Sequence, residues 1–312
     1  MGGKIGLFVF DRVGEYHRRI LTGVEDAARR EGLALEVYDS GNIAAKQAQD
    51  LVRFASQGGS DPRCALVVPI SDAVDDNDPA QDATFRLAQR ILEKRVGWIT
   101  LNHGRESVVS LLAARFPSLP VAQVSVDNEG FGRLQAQQLQ TILPGGGTAL
   151  CVRGNPFDSA CRGRSLGTKA GLQGGRIVLE EVDGRWEQAL GESVVHKWIT
   201  SPIRREAPLH AVLCQNDEMG AGARQALTRA AQELGRPELR RVAVLGGDGL
   251  PGVGRKWVDE GVLTATVCVT LPGAPAVEML AAHWRKAAPL PVLTRLAATS
   301  YPPVAELRVA AR

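Results

Sequence analysis

The chain has 312 residues, which is long for one domain and suits two. Hydrophobic residues make up 44% and charged residues 23%, as in ordinary soluble globular proteins. A formal net charge of +3, scattered basic residues and only 5% aromatic residues argue against nucleic-acid binding, and no apolar run is long enough to cross a bilayer.

The first third of the chain alternates strands and helices. Residues 4–10 (KIGLFVF) form an apolar run typical of a buried strand, and residues 16–31 follow as an amphipathic helix that Gly32 ends. Further strands are predicted at 34–40, 64–70 and 96–102, and further helices at 44–57 and 80–95. This alternation with short loops predicts a parallel sheet with helices on both faces.

The same order begins again near residue 121. Strands are predicted at 147–154, 176–183, 211–215, 241–247 and 263–269, with a short tail strand near 304–310. Helices are predicted at 129–143, 162–173, 187–200, 218–234, 251–260 and 273–287. The predicted fold class is therefore α/β, with two similar doubly wound lobes.

Polar residues just after each strand are the candidate ligand contacts, because ligands of open parallel sheets bind beyond the carboxyl ends of the strands. The first half offers Asp11, Arg12, Tyr16, His17, Ser71, Asp72, Asn102, His103, Asp127 and Asn128. The second half offers Asp158, Arg162, Arg164, Gln215, Asn216, Asp217 and Asp248. Such amides, hydroxyls, aromatic rings and few charges suit a small neutral polyhydroxylated ligand.

Several of these candidates also have purely structural interpretations. Asp72, Asp127 and Asp217 each precede a helix, and capping that helix explains each of them as well as a ligand does. His17 would equally serve as a packing residue, and Arg162 as a solvated surface charge.

Two motif matches fail on inspection. GDGLPG (247–252) fits a dinucleotide-binding turn, but Asp248 would face the pyrophosphate and Pro251 removes a backbone donor. GRSLG (163–167) fits a hydrolase nucleophile elbow, but Ser165 is predicted inside a helix, and so is His283. A serine hydrolase is the enzymatic alternative; with no base–nucleophile pair surviving, the sequence predicts a protein that is not an enzyme.

The five cysteines are odd in number and lack CxxC spacing, which indicates buried free thiols rather than a metal site. Neither a metal nor another cofactor is predicted. Unpaired thiols favour a reducing compartment, and the first residues lack the pattern of a signal peptide.

Five stretches together resemble a known superfamily: VDNEGFGRLQAQQL, DSACRGRSLGTKAGL, AVLCQNDEMGAGARQAL, VLGGDGLP and LTATVCVTLPG. They resemble the type 1 periplasmic binding proteins, which include ribose-binding proteins of ABC transporters and the effector domains of LacI-type repressors. The resemblance covers essentially the whole chain. It implies two Rossmann-like lobes joined by a three-crossing hinge, with a ligand cleft between them.

Carried over, the crossings fall near 125–127, 268–270 and 301–303. The N-terminal lobe would comprise residues 1–125 plus 271–301, and the C-terminal lobe residues 126–270 plus 302–312.

The resemblance also implies the ligand-binding residues, which are Tyr16, His17, Asn102, His103, Arg164, Asn216 and Asp248. Tyr16 falls where an aromatic ring stacks on the sugar, and His17 replaces a second one. Asn102 and His103 replace the usual aspartate and arginine. Gly14 stands where an asparagine is common, and Val269 or Thr270 where a glutamine is, so the ribose-type pocket is about half changed.

The function implied is binding of a sugar or polyol by hinge closure, for delivery to an ABC permease. The alternative is a cytosolic sensor or regulator with a LacI-type effector domain that lacks its DNA-binding segment, since the first strand begins by Lys4. The protein would be periplasmic if a signal peptide has been removed, and cytoplasmic otherwise. Nucleic-acid binding by this chain alone and membrane insertion are not expected.

Overall fold

A computed structural model describes residues 2–10, 14–69, 80, 82–102 and 104–308. Five of the candidate residues lie outside these ranges, namely Asp11, Arg12, Ser71, Asp72 and His103.

The chain divides into two units that are each built from separate segments. The first unit comprises residues 1–126 and 271–296, and the second comprises residues 127–270 and 297–312. The chain therefore passes from one unit to the other after Val126, Thr270 and Leu296.

The first unit contains a parallel sheet with strand order β11-β5-β4-β3-β1-β2 among the residues described. Its strands are β1 (Lys4–Val9), β2 (Ala34–Asp39), β3 (Arg63–Val67), β4 (Val96–Asn102), β5 (Val121–Val126) and β11 (Leu293–Leu296). Its helices are α1 (Glu15–Glu31), α2 (Ala44–Ser56), α3 (Ala83–Glu93), α4 (Glu106–Arg115) and α10 (Gly273–Trp284).

The second unit repeats the arrangement with strand order β12-β10-β9-β8-β6-β7, in which only β12 runs antiparallel among the strands described. Its strands are β6 (Gly147–Arg153), β7 (Ile177–Asp183), β8 (Ala211–Cys214), β9 (Ala243–Asp248), β10 (Ala265–Cys268) and β12 (Thr299–Tyr301). Its helices are α5 (Asn128–Ile142), α6 (Ser159–Leu172), α7 (Gln188–Thr200), α8 (Asp217–Glu233) and α9 (Lys256–Asp259).

Both sheets are covered on both faces, because successive side chains of a strand point to opposite sides. In the first unit Leu7 packs with residues of α1 and α10, whereas Phe8 packs with residues of α2, α3 and α4. In the second unit Val212 packs with α7 and α8, whereas Leu213 packs with α5 and α6. The two units are thus doubly wound, as the sequence predicts.

Three helical or turn segments differ from the sequence prediction, and the edge strands β11 and β12 are additional to it. Residues 304–306 form a 3-10 turn instead of a tail strand, next to two prolines that cannot donate to a ladder. The helix predicted at 251–260 is a π turn (Pro251–Arg255) followed by the short α9, in a stretch weakened by Pro251, Gly252 and Gly254. Helix α4 was not predicted at all.

The last crossing also differs from the expectation. The resemblance places residues 297–301 in the first lobe, whereas β12 pairs with β10 of the second sheet. Gln138 reinforces this pairing, because its Nε2 donates to the Thr266 carbonyl at 3.0 Å and to Ser300 Oγ at 2.9 Å.

All five cysteines are buried and unpaired, as the sequence predicts. Burial raises the pKa of the Cys64, Cys151 and Cys161 thiols. Among the helices that the structure describes, none combines the length and the apolar character needed to span a membrane.

Candidate functional site

A buried ion pair lies at the carboxyl edge of the second sheet. Arg164, on α6, places Nη2 2.9 Å from Oδ1 of Asp248, which ends β9, and the two side chains are only 5% and 13% exposed. Its Nε donates to Asn128 Oδ1 at 3.2 Å, and its Nη1 donates to the Gln215 carbonyl. These bonds fix the guanidinium plane and leave it poorly hydrated.

Aromatic rings flank the same guanidinium. The Arg164 Cζ lies 3.9 Å from the ring centroid of Phe131, which is fully buried, and 5.4 Å from that of Trp186. Contacts of this kind stabilise a cation by about 0.5–2 kcal/mol when water is excluded. The ion pair therefore forms part of a cluster with an aromatic wall.

Asp248 is held in an unusual backbone conformation. Its φ is +85°, in the left-handed region that costs a non-glycine residue energy, and Gly249 follows with φ +58°. The Asp248 carbonyl accepts a hydrogen bond from the Val269 N–H at 3.0 Å. This turn directs the carboxylate to Arg164, so Asp248 is already paired within the chain.

Asn216 caps helix α8. It has extended dihedrals after the end of β8, and its Oδ1 accepts a hydrogen bond from the Met219 N–H at 3.0 Å. Its Nδ2 donates to the Trp186 carbonyl at 2.9 Å. Beyond these two bonds, the Asn216 amide can still donate one hydrogen bond from Nδ2 and accept one at Oδ1.

The interpretation of Asp217 as the cap of this helix is wrong, since Asn216 is the cap. Its carboxylate is 1% exposed and turns away from the helix, accepting hydrogen bonds from the Thr266 hydroxyl at 2.6 Å and from the Gly249 N–H at 2.8 Å. Burial raises the pKa of Asp217 well above its usual 3.8, and the charge of Asp248 raises it further. Asp217 thereby ties α8 to β10 and to the turn after Asp248.

Gln215 is a buried connector between the loops. Its Oε1 accepts from the Gly154 N–H at 2.9 Å, and its Nε2 donates to Ser165 Oγ at 2.9 Å and to the Cys161 carbonyl at 3.2 Å. Ser165 lies within α6, not on a strand–helix turn. The nucleophile elbow that GRSLG suggests is therefore not formed at this serine.

The other candidates of the second unit include a helix cap, a surface residue and a residue bonded to Trp186. Asp127 caps α5, since its Oδ1 accepts from the Gly130 N–H at 2.9 Å. Arg162 is exposed and donates to the Pro156 carbonyl at 3.1 Å. Asp158 precedes α6 but directs Oδ2 to the indole N–H of Trp186 at 2.8 Å.

In the first unit, two predicted residues lie together. The Tyr16 hydroxyl donates to Asn102 Oδ1 at 2.6 Å, and Asn102 ends β4 with a left-handed φ of +73°. The His17 ring packs edge-on against Phe10, with ring centroids 4.2 Å apart. Tyr16 and Asn102 thus form a polar pair at the carboxyl edge of the first sheet.

Sequence reasoning missed Trp186 and Phe131. Trp186 follows β7 by three residues, in the segment DGRW, whereas the strand-end rule as stated covers polar side chains. Applied to aromatic residues, the strand-end rule would have found it. Phe131 gives no such signal, because its place in α5 is typical of an ordinary core residue.

A model of one protein family matches most of the chain. The model, described as "Periplasmic binding protein domain", matches residues 5–288. The chain belongs to this family. The resemblance to type 1 periplasmic binding proteins and the predicted two-lobe α/β fold class are confirmed.

Two bacterial binding proteins align over most of the chain. A putative rhizopine-binding protein of Rhizobium meliloti is 27% identical over 233 residues, covering 72% of this chain and 67% of that protein. The ribose import binding protein RbsB of Salmonella typhimurium is 26% identical over 261 residues, covering 82% and 76%. A solved structure of a Caulobacter myo-inositol-binding protein has the same fold, with TM-score 0.73, 22% identity and coverage of 95% and 92%.

Proposed function

We propose that this periplasmic binding protein binds a small neutral polyhydroxylated molecule, a sugar or polyol, and does so without catalysis. The observation that carries the proposal is the buried Arg164–Asp248 pair beside Asn216 and the Trp186 ring. A charged pair, an amide and an aromatic face together suit a ring bearing several hydroxyls.

The charge balance of the cluster favours a neutral ligand over an anion. The positive charge of Arg164 is matched by Asp248 at 2.9 Å. An anionic ligand would have to displace that carboxylate or lie beside it in a poorly hydrated place. A hydroxyl, by contrast, can donate to the carboxylate and accept from the guanidinium while the pair stays intact.

The proposed binding site also includes residues of the first unit. Tyr16 and Asn102 already share a hydrogen bond, and His17 lies beside them. We propose that these residues, with His103, contact the same ligand as Arg164, Asn216 and Asp248 after a hinge motion at the three crossings. Contacts made only in the closed state would favour that state.

Transport is the physiological role that we propose, with an ABC permease as partner and the periplasm as location. The relatives support this role, since one of them is a ribose import binding protein. The unpaired thiols are the observation that favours a cytosolic sensor instead. Expression of the native gene followed by osmotic-shock fractionation distinguishes the two, because only a periplasmic protein is released by the shock.

Ribose itself is only one of the ligands to test. The relatives are named for ribose and, putatively, for rhizopine, and the structural neighbour holds myo-inositol. A thermal-shift screen should therefore include D-ribose, myo-inositol and other monosaccharides and polyols. A ligand at a hundred times its Kd adds about 2.7 kcal/mol to the unfolding free energy. If no sugar or polyol raises the melting temperature, the proposed function is wrong.

Arg164→Ala should abolish the shift, since it removes the guanidinium and leaves Asp248 unpaired. Arg224→Ala is the matched control. Arg224 donates to three backbone carbonyls from α8, those of Val262, Arg240 and Val242. The control should lower the melting temperature but keep the ligand-induced rise, and calorimetric titration should give it the wild-type Kd. Wild-type affinity in Arg164→Ala would contradict the placement of the site.

A further inference from the structure

The loop that carries Trp186 has a backbone that is unfavourable for its residues. Arg185 and Trp186 both adopt left-handed conformations, with φ of +51° and +71°. Each such residue costs roughly 1–3 kcal/mol unless it is glycine, so the surroundings must hold the loop in place. The contacts of Trp186 therefore indicate what this conformation is for.

In addition to its place beside the Arg164 guanidinium and its packing against the core of the second unit, Trp186 makes three contacts that fix its position. Its carbonyl accepts from Asn216 Nδ2 at 2.9 Å, and its indole N–H donates to Asp158 Oδ2 at 2.8 Å. The ring packs against Gly154, where an added Cβ would lie 2.0 Å from the indole. The first contact fixes the backbone, and the other two fix the plane and the direction of the ring.

Asp158 is itself fixed by its neighbours. Its Oδ1 accepts from Asn155 Nδ2 at 3.2 Å, and its N–H donates to the Asn155 carbonyl at 3.0 Å. Its own carbonyl accepts from the Arg162 N–H at 3.1 Å, in the first turn of α6. The carboxylate stands at the N-cap of α6 yet makes no side-chain cap bond to the helix. It accepts from the indole instead.

Because α6 also carries Arg164, one helix and its leading residue fix two walls of the candidate site. We propose that Asp158 is a positioning residue that sets the orientation of the Trp186 indole beside Arg164, and through it the affinity for a polyhydroxylated ligand. The second half of this statement rests on the proposed function. The first half concerns the chain alone.

The orientation is tested without any ligand by the indole N–H signals in a ¹H–¹⁵N correlation spectrum. The chain has five tryptophans, and Trp186→Phe assigns one signal by removing it. Asp158→Ala should shift that signal upfield and speed its exchange with solvent, while Asp158→Asn, which keeps an acceptor oxygen, should leave it near its wild-type position. An unmoved signal in Asp158→Ala overturns the proposal, whatever the ligand.

The consequence for binding is tested by a double-mutant cycle with D-ribose and myo-inositol as probes. Asp158→Ala and Trp186→Phe should each raise the Kd about tenfold, since both remove the same hydrogen bond. For the same reason the double variant should raise the Kd no more than the single variant that binds more weakly. Asp158→Asn should restore most of the affinity. Additive losses, or no rescue, would mean that Asp158 acts otherwise than through the indole.

The chain offers a matched control in the same unit. The Trp198 indole N–H donates to Glu180 Oε2 at 3.2 Å, on strand β7. Glu180→Ala should move the Trp198 signal and leave the Kd unchanged. If no sugar or polyol of the thermal-shift screen binds the wild-type protein while the Trp186 signal responds to Asp158→Ala, the proposed function fails and the positioning role stands.

Discussion

Asp217 carries a carboxyl group in a place with almost no water. Glycines make room for it, because a Cβ on Gly254 would lie 2.0 Å from its Oδ2 and a Cβ on Gly246 would lie 2.4 Å from its Oδ1. Two donors, from Thr266 and Gly249, support the ionised form, but burial outweighs them and raises its pKa. This residue therefore stabilises the fold best when it is protonated.

Asp217→Asn should change how stability depends on pH. The folded state of the wild type binds more protons than the unfolded state above pH 3.8, so its unfolding free energy falls as the pH rises towards the folded-state pKa. Each unit of pKa difference corresponds to about 1.4 kcal/mol. The neutral variant lacks this contribution, because an amide does not titrate. Its amide can still donate to Thr266 and accept from Gly249, so both hydrogen-bond partners are kept.

Urea unfolding of both proteins at pH 4.5 and pH 8 measures this effect. The wild type should lose stability relative to the variant between the two values. A constant difference across this range would show that Asp217 is ionised in the folded state throughout.

The roles within the stretch QND could not be predicted from the sequence. Asn216 and Asp217 are both good N-cap residues, and both follow a buried strand. Their roles differ because two hydrogen-bond donors, Gly249 and Thr266, bind the carboxylate of Asp217. These donors lie 32 and 49 residues further along the chain. The orientation of Trp186 depends in the same way on Asp158, 28 residues earlier. Strand ends located the candidate residues, but tertiary contacts decided what each one does.

At the scale of elements, helices α5 and α6 cross closely because glycines line the contact. A Cβ on Gly132 would lie 2.1 Å from the Arg164 carbonyl oxygen, and one on Gly167 would lie 2.0 Å from that of Glu129. Both obstacles are backbone atoms, so a side-chain rotation cannot relieve them. This close approach sets the distance of Arg164 from the sheet.

Gly132→Ala and Gly167→Ala should each destabilise the protein by about 1–3 kcal/mol or more, because the helices must separate. Gly23→Ala is the control. Gly23 lies inside α1, and a Cβ there would meet α10 at an ordinary 3.6 Å. This change should be neutral or stabilise by up to about 1 kcal/mol through helix propensity. Urea unfolding measures all three, and equal effects at the three glycines would contradict the packing argument.

Most strands and helices were predictable because buried parallel strands are continuous apolar runs and the helices carry one apolar face. The short edge strands were not. Strand β11 reads LTRL and alternates between exposed and half-buried positions, so it has no apolar run to detect. It exists because β5 offers it a free edge for parallel pairing.

At the scale of the whole molecule, each unit depends on segments that are distant in sequence. Ala276, Val277 and Leu280 of α10 belong to the same core as Ile5 and Leu7. Trp284 packs against Gly3, where an added Cβ would lie 2.4 Å from its ring. The first 126 residues therefore lack one helix and one strand of their own unit.

A fragment of residues 1–126 should consequently fail to fold cooperatively. Removing α10 leaves the apolar face of the sheet beside α1 partly uncovered, and each uncovered Leu or Ile side chain costs roughly 1.5–3 kcal/mol. Joining residues 271–296 to the fragment by a flexible Gly/Ser linker should restore a sigmoidal urea transition followed by circular dichroism. A cooperative transition in the shorter fragment would show that α10 and β11 are dispensable.

The discontinuity of the first unit has a consequence during protein synthesis. A ribosome releases the chain from the N-terminus, and domains usually become able to fold in that order. Here the order of completion is different, since the first unit needs residues up to Leu296 whereas residues 127–270 already include five of the six strands of the second sheet. The half that is made first must wait, with an apolar surface uncovered, until nearly the whole polypeptide has emerged.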